Sequence, residues 1–396
     1  MITVRHATSP AEAPIEIVER KGLGHPDTLA DALAERMSVA YSQYCREQFG
    51  AVLHHNLDKV YLRGGHCTIG LATFEMTAPV TLVIGGRVST TYAGKQIPYR
   101  ELFEDTAREY LAAVLPNFDH ARWLRIEHVT TDRSMFPAWF HPQSHEDLPE
   151  LIHPTASDTA AVTAWWPDSP TETVVLALER HLNQEGAGPR YLYLGQDIKV
   201  MAVRQQRHVS ITLNVAVHPF AAQDDDRYDA VVTTLHTELG KVASNVLQGT
   251  LDHHLSINTH TANPYRGKRR YLLGSGSCLE FGEEGFVGRG NTIAGYIPVH
   301  RPKSAEAAYG KNPVYHSGKV YSIHARQIAR QVHEQTGTAA TVTICSRHSD
   351  PLREPSFIDI AAHDDADPSL VQSAAEKSLA TTDHLALALG SYLVPR

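Results

Sequence analysis

The chain has 396 residues, of which 42% are hydrophobic and 20% charged, and its formal net charge is −8. This length fits two or three globular domains, and the apolar fraction excludes general disorder. The negative charge argues against a nucleic-acid binder, and four scattered cysteines argue against a disulfide scaffold or a CxxC zinc ribbon. No apolar run approaches the ~20 residues that cross a bilayer, and the N-terminus lacks a signal peptide, so the chain is expected in the cytoplasm and away from membranes.

The first predicted element is a helix over residues 26–47. Gly22 and Gly24 interrupt the chain before it, and Pro26 suits a first helical position. Large apolar side chains then recur every four residues, which is the spacing of an amphipathic helix. They are Leu29, Leu33, Met37 and Tyr41.

The remaining elements alternate irregularly along the chain. Further helices are predicted at 100–114, 171–183 (with Thr171 as its cap), 227–247, 319–335 and 368–388. Strands are predicted at 51–62, 68–73, 79–92, twice within 191–217, and at 270–273, 293–298, 340–346 and 356–362. Because the order is mixed and lacks regular βαβ alternation, the pattern predicts an α+β fold with helices on one face of mixed sheets.

The first candidate motif is Gly22-Leu23-Gly24-His25-Pro26-Asp27. A glycine turn that leads into a helix presents backbone N–H groups to an anion. His25 can donate to a phosphate oxygen, Asp27 can hold a divalent cation, and Asp31 follows one turn later on the same face. The alternative is an ordinary capped helix with a solvated histidine and aspartate.

The second candidate is the segment GQDIKVM at residues 195–201. In a strand, Asp197 and Lys199 lie on one face while Ile198 and Val200 lie on the other. An acid and a lysine that face one cleft suit ribose and phosphate binding. A strand with one solvated face is the alternative.

The third candidate is a glycine-rich, basic stretch. Between residues 266 and 319, basic residues outnumber acidic ones in an otherwise acidic chain, beginning with Arg266, Lys268 and Arg269. Glycines allow the backbone to approach phosphates closely, and Arg289, Lys311 and Lys319 supply charge. The stretch contains neither a Walker A loop nor a GxGxxG fingerprint, and the alternative is a set of surface turns.

These motifs, with two others, resemble those of the S-adenosylmethionine synthetases (methionine adenosyltransferases), specifically of the archaeal type. The segments that carry the resemblance are VERKGLGHPD (18–27), AVLHHNLDKV (51–60), PTASDTA (154–160), GQDIKVM (195–201), GEEGFVGRGN (282–291) and RPKSAEAAYGKNPVYHSGKVY (301–321). They keep the family's order and spread over most of the chain.

The resemblance implies three similar α+β domains around a pseudo-threefold axis, here divided approximately as 1–150, 151–265 and 266–396. It also implies a homodimer, or a dimer of dimers, with active sites at the subunit interface. The implied reaction is attack of the methionine sulfur on C5′ of ATP, followed by hydrolysis of the released triphosphate to pyrophosphate and phosphate. Magnesium, in two sites, and potassium are the implied cofactors.

The family's site residues carry over by motif. His25 is expected at the triphosphate near C5′, and Asp27 and Asp158 are expected to bind magnesium. The residues expected to bind the phosphates are the cations Lys199, Arg289, Lys311 and Lys319. Asp197 is expected at the ribose, Glu283 at the methionine amine, and Asp58 in the lining of the substrate pocket.

Departures from the family pattern gather near the expected amino-acid side. Glu283-Glu284 replaces two aspartates, Ser157 replaces the asparagine before Asp158, and Tyr315 replaces an asparagine. Ser317 replaces a small apolar residue, and residues 163–166 replace a Gly-Tyr-Ala element. Two alternatives therefore accompany the adenosyltransferase hypothesis: a paralogue that adenosylates another thioether amino acid, and a nucleotide-binding protein without catalysis.

Overall fold

The computed structural model describes residues 1–9, 11–148, 154–184, 188–258, 270–363, 366–390 and 392–393. Its helices are α1 Pro26–Phe49, α2 Tyr99–Val114, α3 Pro137–Phe140, α4 Pro170–Leu182, α5 Asp225–Leu247, α6 Ser317–Thr336, α7 Pro368–Thr381 and α8 His384–Leu389. Short 3₁₀ turns lie at His145–Asp147 and Cys278–Phe281.

The strands are short, and several have only two residues. They are β1 Ile2–His6, β2 Ile15–Lys21, β3 His55–Asn56, β4 Tyr61–Arg63, β5 His66–Gly70, β6 Thr73–Ala78, β7 Val80–Val88, β8 Thr91–Tyr92, β9 Lys95–Gln96, β10 Leu124–Thr131, β11 Ala160–Trp166, β12 Asn183–Gln184, β13 Gly188–Pro189, β14 Lys199–Gln205, β15 His208–Asn214, β16 Asp252–Ile257, β17 Gly285–Phe286, β18 Ile297–Pro298, β19 Ala340–Ser346 and β20 Phe357–Ala362.

Three larger sheets organise the described residues. Their strand orders are β1-β20-β19-β11, β10-β7-β4-β17 with β3 also paired to β7, and β16-β15-β14-β2-β18. Each sheet contains one parallel pair, β1 with β20, β10 with β7 and β15 with β16, among antiparallel pairs. The predicted α+β class with mixed sheets is confirmed.

Each sheet has its own hydrophobic core and its own pair of helices. Helices α6 and α7 pack with the first sheet, α1 and α2 with the second, and α4 and α5 with the third. The predicted apolar stripe of α1 is confirmed, because Leu29, Leu33, Met37 and Tyr41 are all fully buried. Burying each such side chain stabilises the fold by roughly 1.5–3 kcal/mol relative to exposure.

Most helix predictions are confirmed within three residues, with two corrections. The last predicted helix is two helices, because Asp383 caps a new one by accepting a hydrogen bond from the Ala386 N–H at 2.9 Å. Helix α4 begins before Thr171: Ser169 and Glu172 form its capping box, in which the Ser169 Oγ accepts from the Glu172 N–H at 3.1 Å.

The strand predictions were less accurate. Within 51–62 only β3 and the first residues of β4 are extended, and residues 51–54 are a buried loop. Residues 270–273 hold a single bridge at Leu272, and only 297–298 of the predicted strand 293–298 is one. A short apolar run is buried in a loop as readily as in a strand, so periodicity cannot separate the two.

The sheets join segments that are distant in sequence. The first sheet pairs β1, near the N-terminus, with β20, and the third places β2 beside β14. The predicted domain boundaries at 150 and 265 fall on residues outside the described ranges, as do Arg266, Lys268 and Arg269, so that division stays a prediction. Among the described residues, no helix is both long and apolar enough to cross a membrane.

Candidate active site

The turn before α1 packs directly against the segment that leads into β14. The Gly22 N–H donates to the Ile198 carbonyl at 2.7 Å, and the Gly24 N–H donates to the Gln196 carbonyl at 3.0 Å. A Cβ at Gly24 would lie 2.5 Å from the Gln196 carbonyl carbon, so only glycine fits there. This close approach brings the first two sequence motifs together.

A cavity of about 410 Å³ opens at this junction. It is lined mostly by residues with polar or charged side chains, which come from the α1 start, the third sheet and its neighbouring segment, and residues 271–284: His25, Pro26, Asp197, Lys199, Asn214, Tyr271, Cys278, Glu283 and Glu284. Four of the predicted site residues, His25, Asp197, Lys199 and Glu283, therefore share one cavity.

Asp197 is almost fully buried at the wall of this cavity. Its Oδ2 accepts from the Cys278 N–H at 3.1 Å, and the Tyr271 hydroxyl lies 3.2 Å from the Cys278 Sγ. Burial raises the pKa of Asp197 to about 7, and the nearby Glu283 carboxylate adds to that shift. The Asp197 carboxyl thus changes charge near neutral pH.

His25 caps α1 with its Nδ1, which accepts from the Asp27 N–H at 3.2 Å. Burial, reinforced by the Lys21 ammonium, lowers the pKa of His25 to about 4. The imidazole is therefore neutral at pH 7, with its Nδ1 occupied as an acceptor, which leaves Nε2–H as a donor. A donor at a helix N-terminus suits an anionic ligand.

Lys199 opens β14, and its ammonium lies 3.1 Å from the Glu19 carboxylate of β2. Its side chain is 43% exposed, so this ion pair is weak and can give way to a ligand. Lys21 stands directly opposite Lys199 in the strand register.

Asp27 is engaged on both carboxylate oxygens. Its Oδ1 accepts from the Phe286 N–H at 3.0 Å, and its Oδ2 accepts from the Lys21 ammonium at 2.8 Å. One turn later on α1, the Asp31 Oδ1 accepts from the Gly288 N–H at 2.7 Å. Two carboxylates of α1 thus hold the glycine-rich loop 285–291 across the helix start.

That loop carries Arg289 into a second cavity, of about 270 Å³. Lys303 and Glu306 also line this cavity. Neither Arg289 nor Lys303 forms an ion pair with any residue in the described ranges. The Lys311 ammonium is buried beside the same segment and pairs with Glu306. Arg289 therefore lines the second cavity, whereas Lys311 is buried outside both cavities and is already paired with Glu306.

Lys319 lies outside both cavities. It is fully buried in α6, and its ammonium contacts both carboxylate oxygens of Glu35, at 2.9 and 2.8 Å. Burial lowers its pKa. The geometry favours a structural role for this lysine over direct contact with phosphate.

Asp58 and Asp158 also lie outside the two cavities and near the start of α6. The Asp158 carbonyl accepts a hydrogen bond from the Ser317 hydroxyl at 3.2 Å, and Asp158 itself is exposed. Asp58 pairs with Lys59 at 2.8 Å, and it shares the surroundings of His316 with Lys311. Within one chain, the structure does not bring these two aspartates to the first cavity.

The described residues contain no cluster of three or more histidine, cysteine or acidic side chains that could hold a metal. Mg²⁺ in nucleotide sites commonly takes only one or two carboxylates and completes its shell with phosphate oxygens and water. Asp27 and Asp158, each a single carboxylate, fit that donor chemistry.

Sequence reasoning missed Lys21, which lies beside the site, and three residues that line the first cavity, Asn214, Tyr271 and Cys278. Lys21 lies within the segment VERKGLGHPD. Because the chain has only ten lysines, a lysine inside this motif could have been identified as a candidate. Tyr271 and Cys278 line the first cavity because of packing between segments that are distant in sequence, which no local sequence pattern predicts.

The sequence pattern of the S-adenosylmethionine synthetase (AdoMet synthetase) family matches residues 1–387. An S-adenosylmethionine synthase of Methanocaldococcus jannaschii is 35% identical over 357 residues, which cover 88% of this chain and 86% of that protein. An uncharacterized protein of Streptococcus pyogenes serotype M3 is 34% identical over 369 residues, 91% of this chain and 89% of that protein. A solved structure of an unusual S-adenosylmethionine synthetase from Campylobacter jejuni has a TM-score of 0.61 at 12% identity, covering 96% of this chain and 94% of that one, which bears on the fold alone.

Proposed function

The chain belongs to the S-adenosylmethionine synthetase family, and we propose that it transfers the adenosyl group of ATP to the sulfur of L-methionine. The observation that supports this most directly is the cavity in which His25, Asp197, Lys199 and Glu283 meet. It offers a carboxyl group for ribose hydroxyls, a neutral imidazole and an ammonium for phosphates, and a second carboxylate for an amino group.

The proposed chemistry needs no general base. A neutral thioether sulfur attacks C5′, the new S–C bond forms as the C5′–O bond breaks, and the triphosphate leaves with its electron pair. The barrier is lowered by positioning and by cations that face the leaving group. The proposed cations are Lys199 in the first cavity, Arg289 in the second, and the buried Lys311. Water then hydrolyses the triphosphate to pyrophosphate and phosphate.

Magnesium is proposed as the divalent cofactor, with Asp27 and Asp158 as its protein ligands. When bound, it neutralises phosphate charge. We expect EDTA to abolish activity and excess Mg²⁺ to restore it, measured by the formation of the sulfonium product. Full activity in a metal-free assay would contradict the assignment of both aspartates. From the family resemblance we also expect activity to require K⁺ as a monovalent cation.

The ionisation of Asp197 predicts a pH dependence. Because the pKa of the carboxyl is raised to about 7, the group is neutral below that pH, and above it becomes a carboxylate, a stronger acceptor for ribose hydroxyls. We expect kcat/KM for ATP to rise between pH 6 and pH 8 with a midpoint near 7, and Asp197→Asn to lower activity and remove this step. If kcat/KM of Asp197→Asn still rises between pH 6 and pH 8 as in wild type, another group is responsible for the pH dependence.

Asp58 and Asp158 are proposed to complete the site of a second copy in a homodimer, or in a dimer of dimers. Their separation from the first cavity within one chain supports this arrangement. It is tested by mixing two inactive variants, Lys199→Ala and Asp158→Asn. Hybrid dimers then contain one intact site and recover part of the activity, whereas a site built from one chain gives no recovery.

A different thioether acceptor is the second candidate function, favoured by a stack of aromatic rings near the start of α6. The His54 ring lies parallel to Trp139 at 5.1 Å, Phe136 stacks on Trp139 at 5.1 Å, and the Tyr315 hydroxyl lies 2.9 Å from the His54 Nδ1. Trp139 and Phe136 are about half exposed. Such rings offer a surface for a larger S-alkyl group than the methyl of methionine.

Glu283→Asp separates the two acceptors. The glutamate carboxylate reaches about 1.5 Å further than that of aspartate, one C–C bond. If the pocket has repacked around methionine, as we propose, Glu283→Asp lowers kcat/KM for methionine, because a misplacement of about 1 Å can cost ~100-fold. Measuring kcat/KM of wild type and Glu283→Asp for methionine, ethionine and shorter S-alkyl cysteines distinguishes between the two candidate functions. A wild-type preference of tenfold or more for another thioether would favour the second candidate.

A further inference from the structure

We infer that Lys21 is a resident counter-cation of Asp27, which keeps free divalent metal out of the site so that the metal enters together with the nucleotide. This inference rests on the proposed function, because it concerns the residue proposed to hold magnesium. No other cation in the described ranges contacts the Asp27 carboxylate.

The geometry places the Lys21 ammonium where a metal ion would meet Asp27. Its Nζ lies 2.8 Å from the Asp27 Oδ2 and donates to the Arg289 carbonyl at 2.7 Å. A carboxylate and a carbonyl oxygen are ligands that Mg²⁺ also takes. The remaining Asp27 oxygen already accepts from the Phe286 N–H, so the ammonium and the loop together satisfy the carboxylate.

The backbone holds Lys21 in this position. The Lys21 N–H donates to the Asn291 Oδ1 at 3.0 Å, and the Lys21 carbonyl accepts from the Asn291 Nδ2 at 2.7 Å. The Thr28 hydroxyl donates to the same carbonyl at 3.2 Å. Lys21 is only 14% exposed along its side chain, and Asp27 only 9%. The contact is therefore built into the fold and differs from a solvated surface pair.

The charge balance then sets the order of binding. Lys21 and the cross-strand Lys199 place two positive charges around one neutral imidazole, His25. A free divalent cation at Asp27 must displace or approach the ammonium, and repulsion between nearby like charges in a partly buried site is strong. A nucleotide that arrives with its metal brings up to four negative charges, which compensate both lysines. Lys21 is then free to move from Asp27 to a phosphate oxygen.

The test measures Mn²⁺ binding with and without the ATP analogue adenylyl imidodiphosphate. The electron paramagnetic resonance signal of free Mn²⁺ reports how much of the ion is bound. We expect wild type to bind Mn²⁺ weakly alone and tightly with the analogue. Lys21→Gln, which keeps a donor for the Arg289 carbonyl but removes the charge, is expected to tighten binding of Mn²⁺ alone by about tenfold or more. Lys21→Met should do the same, and Lys21→Arg should leave the affinity low.

Two controls fix the interpretation. Lys241→Met removes an exposed lysine outside the site and should leave Mn²⁺ binding unchanged. Adding Asp27→Asn to Lys21→Gln should abolish the gained affinity. Folding of each variant is checked by circular dichroism, and Lys21→Gln serves if Lys21→Met fails to fold.

The outcomes separate this inference from the proposed function. If wild type binds Mn²⁺ with the analogue in a manner that depends on Asp27, but neither Lys21→Gln nor Lys21→Met changes binding of Mn²⁺ alone, the inference is overturned and the proposed function stands. If no variant binds Mn²⁺ at Asp27 with or without the analogue, Asp27 is not a metal ligand, and both fail.

Discussion

Replacing Lys199 or Lys311 by alanine is expected to lower turnover by roughly 100–1000-fold, the cost of removing one charge aimed at a departing oxyanion, about 2.7–4 kcal/mol. Lys199 is the sharper test, because its side chain is 43% exposed, lines the first cavity and pairs only weakly with Glu19. Its removal should therefore leave the fold intact. The measurement is kcat with saturating ATP and methionine, with folding checked by circular dichroism.

Matched lysines provide the control. Lys95→Ala and Lys241→Ala remove exposed ammonium groups that line neither described cavity, and they should change turnover little. Equal losses from these variants and from Lys199→Ala would mean that general charge, and not the position of Lys199, supports activity. The assignment of the phosphate-binding lysines would then be wrong.

Lys319→Ala is expected to destabilise the fold by about 3–5 kcal/mol, because removing one partner of a buried ion pair leaves the other charge uncompensated. Lys319 and Glu35 are both fully buried, and the Glu35 Oε2 also accepts from the Gly310 N–H at 2.9 Å. The free energy of unfolding in urea measures the effect. Lys377→Ala, an exposed lysine of α7, is the matched control and should change it little.

A double variant separates structure from substrate binding at this position. Lys319→Met with Glu35→Gln removes both charges and keeps an acceptor for the Gly310 N–H, so it should recover most of the lost stability. If Lys319 has only a structural role, activity recovers along with stability. If it binds phosphate, as the motif alone suggests, the double variant folds and stays inactive.

The sequence predicted the part of the site that forms locally. His25, Pro26 and Asp27 follow two glycines into a helix, and proline at the first helical position and an acid in the first turn are both favoured there. The alternation of Asp197 and Lys199 on one strand face was equally readable. The helix start is confirmed, whereas β14 begins only at Lys199, so Asp197 lies in the segment before the strand although both side chains line one cavity. The contact between the two motifs depends on glycines that allow a close approach.

The parts that depend on long-range packing could not be read from the sequence. That Lys319 meets Glu35, 284 residues away, follows from how α6 lies against α1. That Lys311 faces Glu306 rather than open solvent follows from the fold of the loop between them. A motif gives residue types and spacing, and it cannot show which cations already have a carboxylate partner.

The strands illustrate the same limit. Strand β2 was not predicted, because its buried face carries Glu16, Val18 and Arg20, so its sequence lacks the alternation of apolar and polar residues that indicates a strand. Yet β2 positions the site, since it pairs with β14 along its whole length and sets Lys21 opposite Lys199. Pairing between segments almost 180 residues apart leaves no local signal.

The measurement that tests the central claim most directly is mass spectrometry of the products formed from ATP, Mg²⁺ and a panel of thioether amino acids, with wild type and Lys199→Ala run in parallel. The account predicts that wild type forms the sulfonium product of methionine faster than that of any other thioether in the panel, and that Lys199→Ala forms it roughly 100–1000-fold more slowly. It would be contradicted by a wild type that forms no sulfonium product, or one that prefers another thioether by tenfold or more.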